Sequence, residues 1–193
     1  TGHDGIINSA IFSPDGRFIV TTCLDNTVRW WDVQSGVEVR RVDLPIATLG
    51  ESFSPDGGLL AVGADRVVYL FDGITGNLLR EIKGVGGDVD SLAFTHDQKR
   101  LLLGTRDAFV YLYEVESGNL LRRYEGHNSY VYSAKFSADE KLILTGSRDG
   151  TARLFDAESG KLLRILTGHT DAIREVRFSP DQKSALTASW DGT

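Results

Sequence analysis

Apolar positions along this chain alternate with polar ones in short segments, and turn residues separate the segments. Between residues 131 and 166, four stretches rich in β-branched, aromatic and leucine side chains (131–136, 142–147, 151–155 and 162–166) are divided by Ser137-Ala138-Asp139-Glu140, by Arg148-Asp149-Gly150 and by Asp156-Ala157-Glu158-Ser159-Gly160. Runs of this length bounded by such clusters predict strands. Asp-Gly at 149–150 is a hairpin signal, because glycine takes a positive φ without steric cost. No stretch sustains a 3.6-residue apolar period, so almost no helix is expected.

The same unit recurs five times. Its anchors are Phe12-Ser13-Pro14-Asp15, Phe53-Ser54-Pro55-Asp56, Phe94-Thr95-His96-Asp97, Phe136-Ser137-Ala138-Asp139 and Phe178-Ser179-Pro180-Asp181, spaced by 41, 41, 42 and 42 residues. A period of roughly 40–45 predicts a radial array of four-stranded sheets. The tight turn is Asp25-Asn26 in the first repeat and Asp107-Ala108 in the third. In the second it is one residue shorter, Asp65-Arg66, which predicts a tighter or bulged hairpin. The next turn carries Ser35-Gly36, Thr75-Gly76, Ser117-Gly118 and Ser159-Gly160. One such sheet cannot bury both faces, so the copies are expected to stack.

These residues resemble the WD-repeat (WD40) β-propeller family over the whole chain. The Gly-His pair of that family stands at Gly2-His3, Gly126-His127 and Gly168-His169, and its Trp-Asp pair at Trp31-Asp32. Elsewhere that pair reads Phe71-Asp72, Tyr113-Glu114 and Phe155-Asp156. The resemblance implies an all-β propeller of four-stranded antiparallel blades forming one domain over residues 1–193. The repeats fall at about 2–43, 44–84, 85–126, 127–168 and 169–193, which gives four complete blades and half of a fifth. The chain has no methionine and runs from Thr1-Gly2-His3 to Asp191-Gly192-Thr193, in mid-pattern at both ends. It is therefore expected to be a portion of a larger ring, seven-bladed by resemblance. An unpaired strand in the last blade would favour self-association of the isolated piece.

His127, Ser147 and Asp149 have the residue types of a catalytic triad, and so do His169, Ser189 and Asp191. A triad is a single set placed against a substrate cleft, whereas these sets return one period apart. By resemblance they belong to a structural tetrad: His before the first strand, Ser or Thr on the second, Asp in the tight turn and Trp on the third. The first repeat then has His3, Asp25 and Trp31, with Cys23 in the hydroxyl position. The second has Asp65 alone, beside Leu44, Gly63 and Phe71. The third has Thr105 and Asp107, with Val85 and Tyr113, and the fourth has all but the tryptophan, replaced by Phe155. On this reading no repeat keeps the whole set. The second blade is the least well stapled, and its hydrogen exchange should be the fastest among the complete blades. Trp30 alternates to the other sheet face from Trp31 and is expected to pack between blades.

Composition narrows the function. At 41% hydrophobic and 25% charged residues the chain reads as globular, and no apolar run is long enough for a membrane span. A net charge of −6 argues against a general nucleic-acid surface. Cys23 is the only cysteine, which excludes an internal disulfide and fits a reducing, cytoplasmic setting. Gly84-Val85-Gly86-Gly87 lacks the Lys-Ser/Thr of a phosphate loop. Asp88 and Asp90 lack the spaced partners of a cation site, and His96 reads as a surface residue. No metal, cofactor or catalytic group is expected.

The family's partner-binding positions lie on the face that carries the His loop and the Asp turn. By resemblance they are the third and fifth residues after the His and the residue before the Asp. They map to Ile6, Asn8 and Leu24; Ala47, Leu49 and Ala64; Asp88, Asp90 and Arg106; Tyr130, Tyr132 and Arg148; and Ala172, Arg174 and Trp190. The fourth and fifth repeats concentrate Tyr, Trp and Arg there, the types that dominate binding hot spots. The expected function is a non-enzymatic scaffold that binds a protein or peptide through this face, centred on Tyr130, Tyr132, Arg148, Arg174 and Trp190, with Arg106, Asp88 and Asp90 beside them. The alternative is a sensor or regulatory propeller within a larger signalling protein.

Overall fold

A computed structural model of the chain describes residues 2–193. Every helix or strand assigned among them is a β-strand. The chain divides into two compact units, residues 1–89 and 90–193.

The first unit holds two antiparallel meanders. One is β1 (Ile7–Phe12), β2 (Phe18–Cys23), β3 (Thr27–Asp32) and β4 (Glu38–Asp43). The other is β5 (Thr48–Phe53), β6 (Leu59–Ala64), β7 (Val67–Asp72) and β8 (Leu78–Lys83). The second unit carries the sheet of β9 (Val89–Phe94), β10 (Arg100–Thr105), β11 (Val110–Glu114) and β12 (Leu120–Tyr124). Next comes the sheet of β13 (Val131–Phe136), β14 (Leu142–Ser147), β15 (Ala152–Asp156) and β16 (Leu162–Leu166). A two-stranded sheet of β17 (Ile173–Phe178) and β18 (Ala185–Ser189) follows.

The recurring anchor motif is a capped turn. Ser13 Oγ donates to Asp15 Oδ1 at 2.6 Å, and that oxygen also accepts the backbone N–H of Arg17. The hydroxyl–carboxylate pair returns as Ser54–Asp56, Thr95–Asp97, Ser137–Asp139 and Ser179–Asp181. One residue further on the backbone is left-handed. Glycine fills that place at Gly16 and Gly57, whereas Gln98, Glu140 and Gln182 take φ of 60°, 57° and 60° there. The short hairpin of the second sheet is tight, as expected: Ala64 pairs directly with Val67, and Arg66 takes φ 52° to close it.

Packing occurs between sheets. In the first unit Val20, Val28 and Trp30 meet Leu60, Val62 and Phe71 in one core. Trp30 is 1% exposed, meets Phe71 edge-on at 6.3 Å and donates its Nε1–H to the Gly73 carbonyl at 3.3 Å. It thus packs between sheets as its position predicts, a burial that contributes about 2–3 kcal/mol. In the second unit the corresponding hydrogen bond comes from the fourth strand instead. Tyr124 meets Phe155 edge-on at 5.8 Å, and its hydroxyl donates to the Ala157 carbonyl at 2.6 Å. Gly73 and Ala157 each follow the Asp that ends a third strand, so two different aromatic residues use one acceptor position.

Candidate functional site

Three histidines form nearly identical networks. His3 sits 2.9 Å from Asp25 through Nδ1 and 2.6 Å from Thr21 through Nε2. For His127 the distances are 2.8 Å to Asp149 and 2.7 Å to Thr145. For His169 they are 2.8 Å to Asp191 and 2.8 Å to Thr187. Each Asp Oδ2 also accepts the backbone N–H of the residue after its histidine, at Asp4, Asn128 and Thr170. Each Asp Oδ1 accepts a threonine hydroxyl, from Thr27, Thr151 and Thr193.

The hydroxyl partner differs from the sequence reading. It comes from Thr21, Thr145 and Thr187, two residues before Cys23, Ser147 and Ser189. Residues i and i+2 of a strand share a face, so both candidates satisfy the pattern and only the register separates them. Ser147 Oγ instead donates to the Ser129 carbonyl and accepts the Asp149 N–H. Ser189 does the same with the Asp171 carbonyl and the Asp191 N–H. Cys23 Sγ accepts the Asp25 N–H at 3.4 Å. No serine in these sets touches its histidine, so none is activated as a nucleophile by it.

Thr21 also completes the first repeat. Trp31 donates its Nε1–H to Thr21 Oγ1 at 2.8 Å, so His3, Thr21, Asp25 and Trp31 form a full four-residue network. The expectation that no repeat keeps the whole set is thereby overturned. The third repeat uses other chemistry. Thr105 Oγ1 bonds Asp107, and the Tyr111 hydroxyl donates to the other Asp107 oxygen at 2.6 Å. The threonine position there is Leu103 and the histidine position Val85, both fully buried. In the second repeat Val62 and Phe71 are fully buried and Asp65 is exposed.

Electrostatics follow from this burial. Desolvation alone would raise the Asp149 carboxyl. Hydrogen bonds from Thr151, the Asn128 N–H and His127 outweigh it and bring the pKa from 3.8 down to about 2. Burial depresses the His127 pKa despite the Asp149 carboxylate, so the ring is held neutral. His3, Cys23 and Asp25 bring three metal-ligand types within 4.8 Å of one another. Both nitrogens of His3 are already engaged with Asp25 and Thr21, so this trio is part of the scaffold.

The variable residues sit on a recurring irregularity. The β1–β2 register skips between Ile7 and Ser9, the β5–β6 register between Thr48 and Gly50, the β13–β14 register between Val131 and Ser133, and the β17–β18 register between Ile173 and Glu175. The skipped residues are Asn8, Leu49, Tyr132 and Arg174. A bulge leaves its extra residue outside the ladder and re-aims the side chain. The first, second, fourth and fifth repeats therefore have a position freed from the scaffold, a feature that strand alternation alone does not reveal.

Within residues 90–193 these side chains form a continuous array. Arg106 grips Asp90 with two hydrogen bonds, 2.8 and 3.0 Å. Its guanidinium lies 5.7 Å from the Tyr130 ring centre, and that of Arg148 lies 5.2 Å from it. Tyr130 meets Tyr132 edge-on at 6.2 Å, and Tyr132 lies 5.9 Å from Trp190. Arg174 contacts both rings, 4.0 Å from Tyr132 and 5.3 Å from Trp190. Trp190 is 59% exposed, Arg148 and Arg174 are exposed, and both tyrosines are half-buried. Ala172 is fully buried and contributes no surface. Asp88, in the first unit, is half-buried. His96 is exposed and bonds Glu140 through Nδ1 at 2.9 Å, linking two capped turns.

Four-stranded meanders that pack on one another within each unit and carry repeated His–Asp–Thr networks define a repeat protein of propeller blades. The family model "WD domain, G-beta repeat" matches residues 1–32, 43–72, 118–156 and 160–193, and the chain belongs to that family. Members of the family generally act as protein-interaction scaffolds. The chain is 39% identical over 77 residues to human "WD repeat-containing protein 36", covering 39% of this chain and 9% of that protein. It is 36% identical over 102 residues to "Serine-threonine kinase receptor-associated protein" of Dictyostelium discoideum, covering 52% and 34% respectively. It is 43% identical over 70 residues to "Eukaryotic translation initiation factor 3 subunit I" of Coccidioides immitis (strain RS), covering 36% and 21%. The matched stretches thus span from 9% to 34% of these curated relatives. No helix among the described residues is long and apolar enough to cross a membrane.

Proposed function

We propose that this chain is a non-catalytic scaffold that binds a protein partner through the array Arg106, Tyr130, Tyr132, Arg148, Arg174 and Trp190. One observation carries the reading: the Tyr132–Arg174–Trp190 stack is built on bulged or turn positions and leaves Trp190 largely open to solvent. Large aromatic and arginine side chains held in place lose little entropy on binding and supply most of the energy of typical interfaces. The histidine networks serve the frame, because they recur with the same partners. The names of the relatives, a receptor-associated protein and a subunit of an initiation factor, fit a component of an assembly. A single buried free thiol fits work in a reducing compartment such as the cytoplasm.

The test is selection of a random peptide library displayed on phage against the protein. Selected peptides are then measured on Trp190→Ala and Tyr130→Ala variants whose melting curves match the parent. Losses of about tenfold or more are expected at Trp190. Peptides that bind both variants as tightly as the parent would overturn the reading.

A further inference from the structure

Two guanidinium groups on this face have no acceptor. Among the described residues, neither Arg148 nor Arg174 makes a side-chain hydrogen bond or an ion pair; each rests over an aromatic ring and is exposed. The carboxylates of the loops and turns around them are already engaged. Asp90 holds Arg106, Asp149 holds His127 and Thr151, Asp191 holds His169 and Thr193, and Asp171 accepts the backbone N–H of Ala172. Hydrogen bonding leaves Asp149, Asp171 and Asp191 ionised, so what marks this face is two guanidinium forks with no carboxylate on them. Open guanidinium forks select a partner that brings its own carboxylates, since none among the described residues reaches them.

Arginine presents a planar fork that matches a carboxylate with two parallel hydrogen bonds. The rings beneath fix the direction of that fork, so less entropy is lost when it closes on a ligand. Tyr132 and Trp190 leave apolar surface beside it. We infer that the occupant of this face is an acidic peptide segment, Asp or Glu side chains seated on Arg148 and Arg174 with an apolar side chain against Trp190. This rests on the interaction reading above and specifies the chemistry of its partner. A single-stranded nucleic acid would use the same arginines and rings, but the surrounding negative charge opposes an extended polyanion.

The library selection decides between these outcomes. Enriched peptides are expected to carry Asp and Glu, to bind more weakly as salt rises, and to lose about tenfold in affinity on Arg148→Gln or Arg174→Gln. Replacing their acidic residues by Lys should abolish binding. Neutral or basic peptides that still depend on Trp190 would overturn the acidic assignment and leave the interaction face standing. Peptides indifferent to Trp190, or no enrichment at all, would overturn both. A single-stranded RNA that binds the parent more tightly than the selected peptides, and is lost on Arg174→Gln, would replace the acidic peptide by nucleic acid.

Discussion

The second and fourth sheets have the same topology and opposite means of holding their loops. In the fourth, His127, Thr145 and Asp149 form a buried polar network around the entrance of β13 and the turn after β14. In the second, the equivalent space is apolar: Val62 and Phe71 are fully buried, and Asp65 is exposed in a two-residue hairpin. A buried polar network is not required to make a blade. Replacing such a network by well-packed apolar side chains often leaves stability unchanged, whereas removing one partner of it is costly. What the network adds is a fixed loop conformation, because Asp149 also ties down the Asn128 N–H and Thr151.

Removing one carboxylate from each sheet separates the two most directly. Asp149→Ala should destabilise the protein by about 3 kcal/mol, since His127, Thr151 and the Asn128 N–H all lose their acceptor. Asp65→Ala should change stability by less than about 0.5 kcal/mol. Urea midpoints measure both, and equal effects would mean that the two sheets are not held differently. Exchanging the buried pair is the next test. Thr145→Val should cost about 1–3 kcal/mol by leaving His127 Nε2 unpaired, and Val62→Thr a similar amount by burying a hydroxyl without a histidine partner.

Acid should sharpen the contrast. The His127 pKa lies below 6.5, so below that pH the unfolded chain takes up the proton more readily and stability falls. Asp149 is lowered from 3.8 to about 2, so its contribution of about 2 kcal/mol is whole above pH 4 and is lost as pH falls toward 2. Asp149→Asn should remove the lower of these two limbs in a pH titration of thermal stability. Hydrogen exchange separates loops from strands. Amides of the 44–47 loop and the Asp65–Arg66 turn should exchange faster than those of residues 127–130, while the apolar strands of the second sheet keep their protection. The smallest effect belongs to the capped turns. Gln98 holds φ 60° where two other repeats have glycine, so Gln98→Gly should stabilise by about 0.5–1 kcal/mol in the same melts.

The same repeat separates constant positions from variable ones. His3, His127 and His169 bond equivalent partners, so their roles are set by the repeat. Asn8, Leu49, Tyr132 and Arg174 occupy one bulged position with four different side chains. A side chain outside the ladder can change without disturbing the sheet.

The strands, their antiparallel order, the turn residues and the stacking of Trp30 between sheets can be read from the residues alone. Each follows from local rules: period-two alternation, turn chemistry and a repeat length that names the unit. In the fourth sheet the predicted strand limits agree with the structure to within one residue. The candidate side chains Tyr130, Tyr132, Arg148, Arg174 and Trp190 were also legible, because they break the repeat. Which hydroxyl meets each histidine is fixed by the folded chain. Thr145 and Ser147 share a face, and choosing between them needs the register across strands and the reach of an imidazole from a distant loop. It alone disclosed the bulges, since an extra residue in a ladder is invisible without its partner strand. And it alone made the array, in which Arg174 lies between Tyr132 and Trp190 only because residues 42 and 58 positions apart are brought side by side.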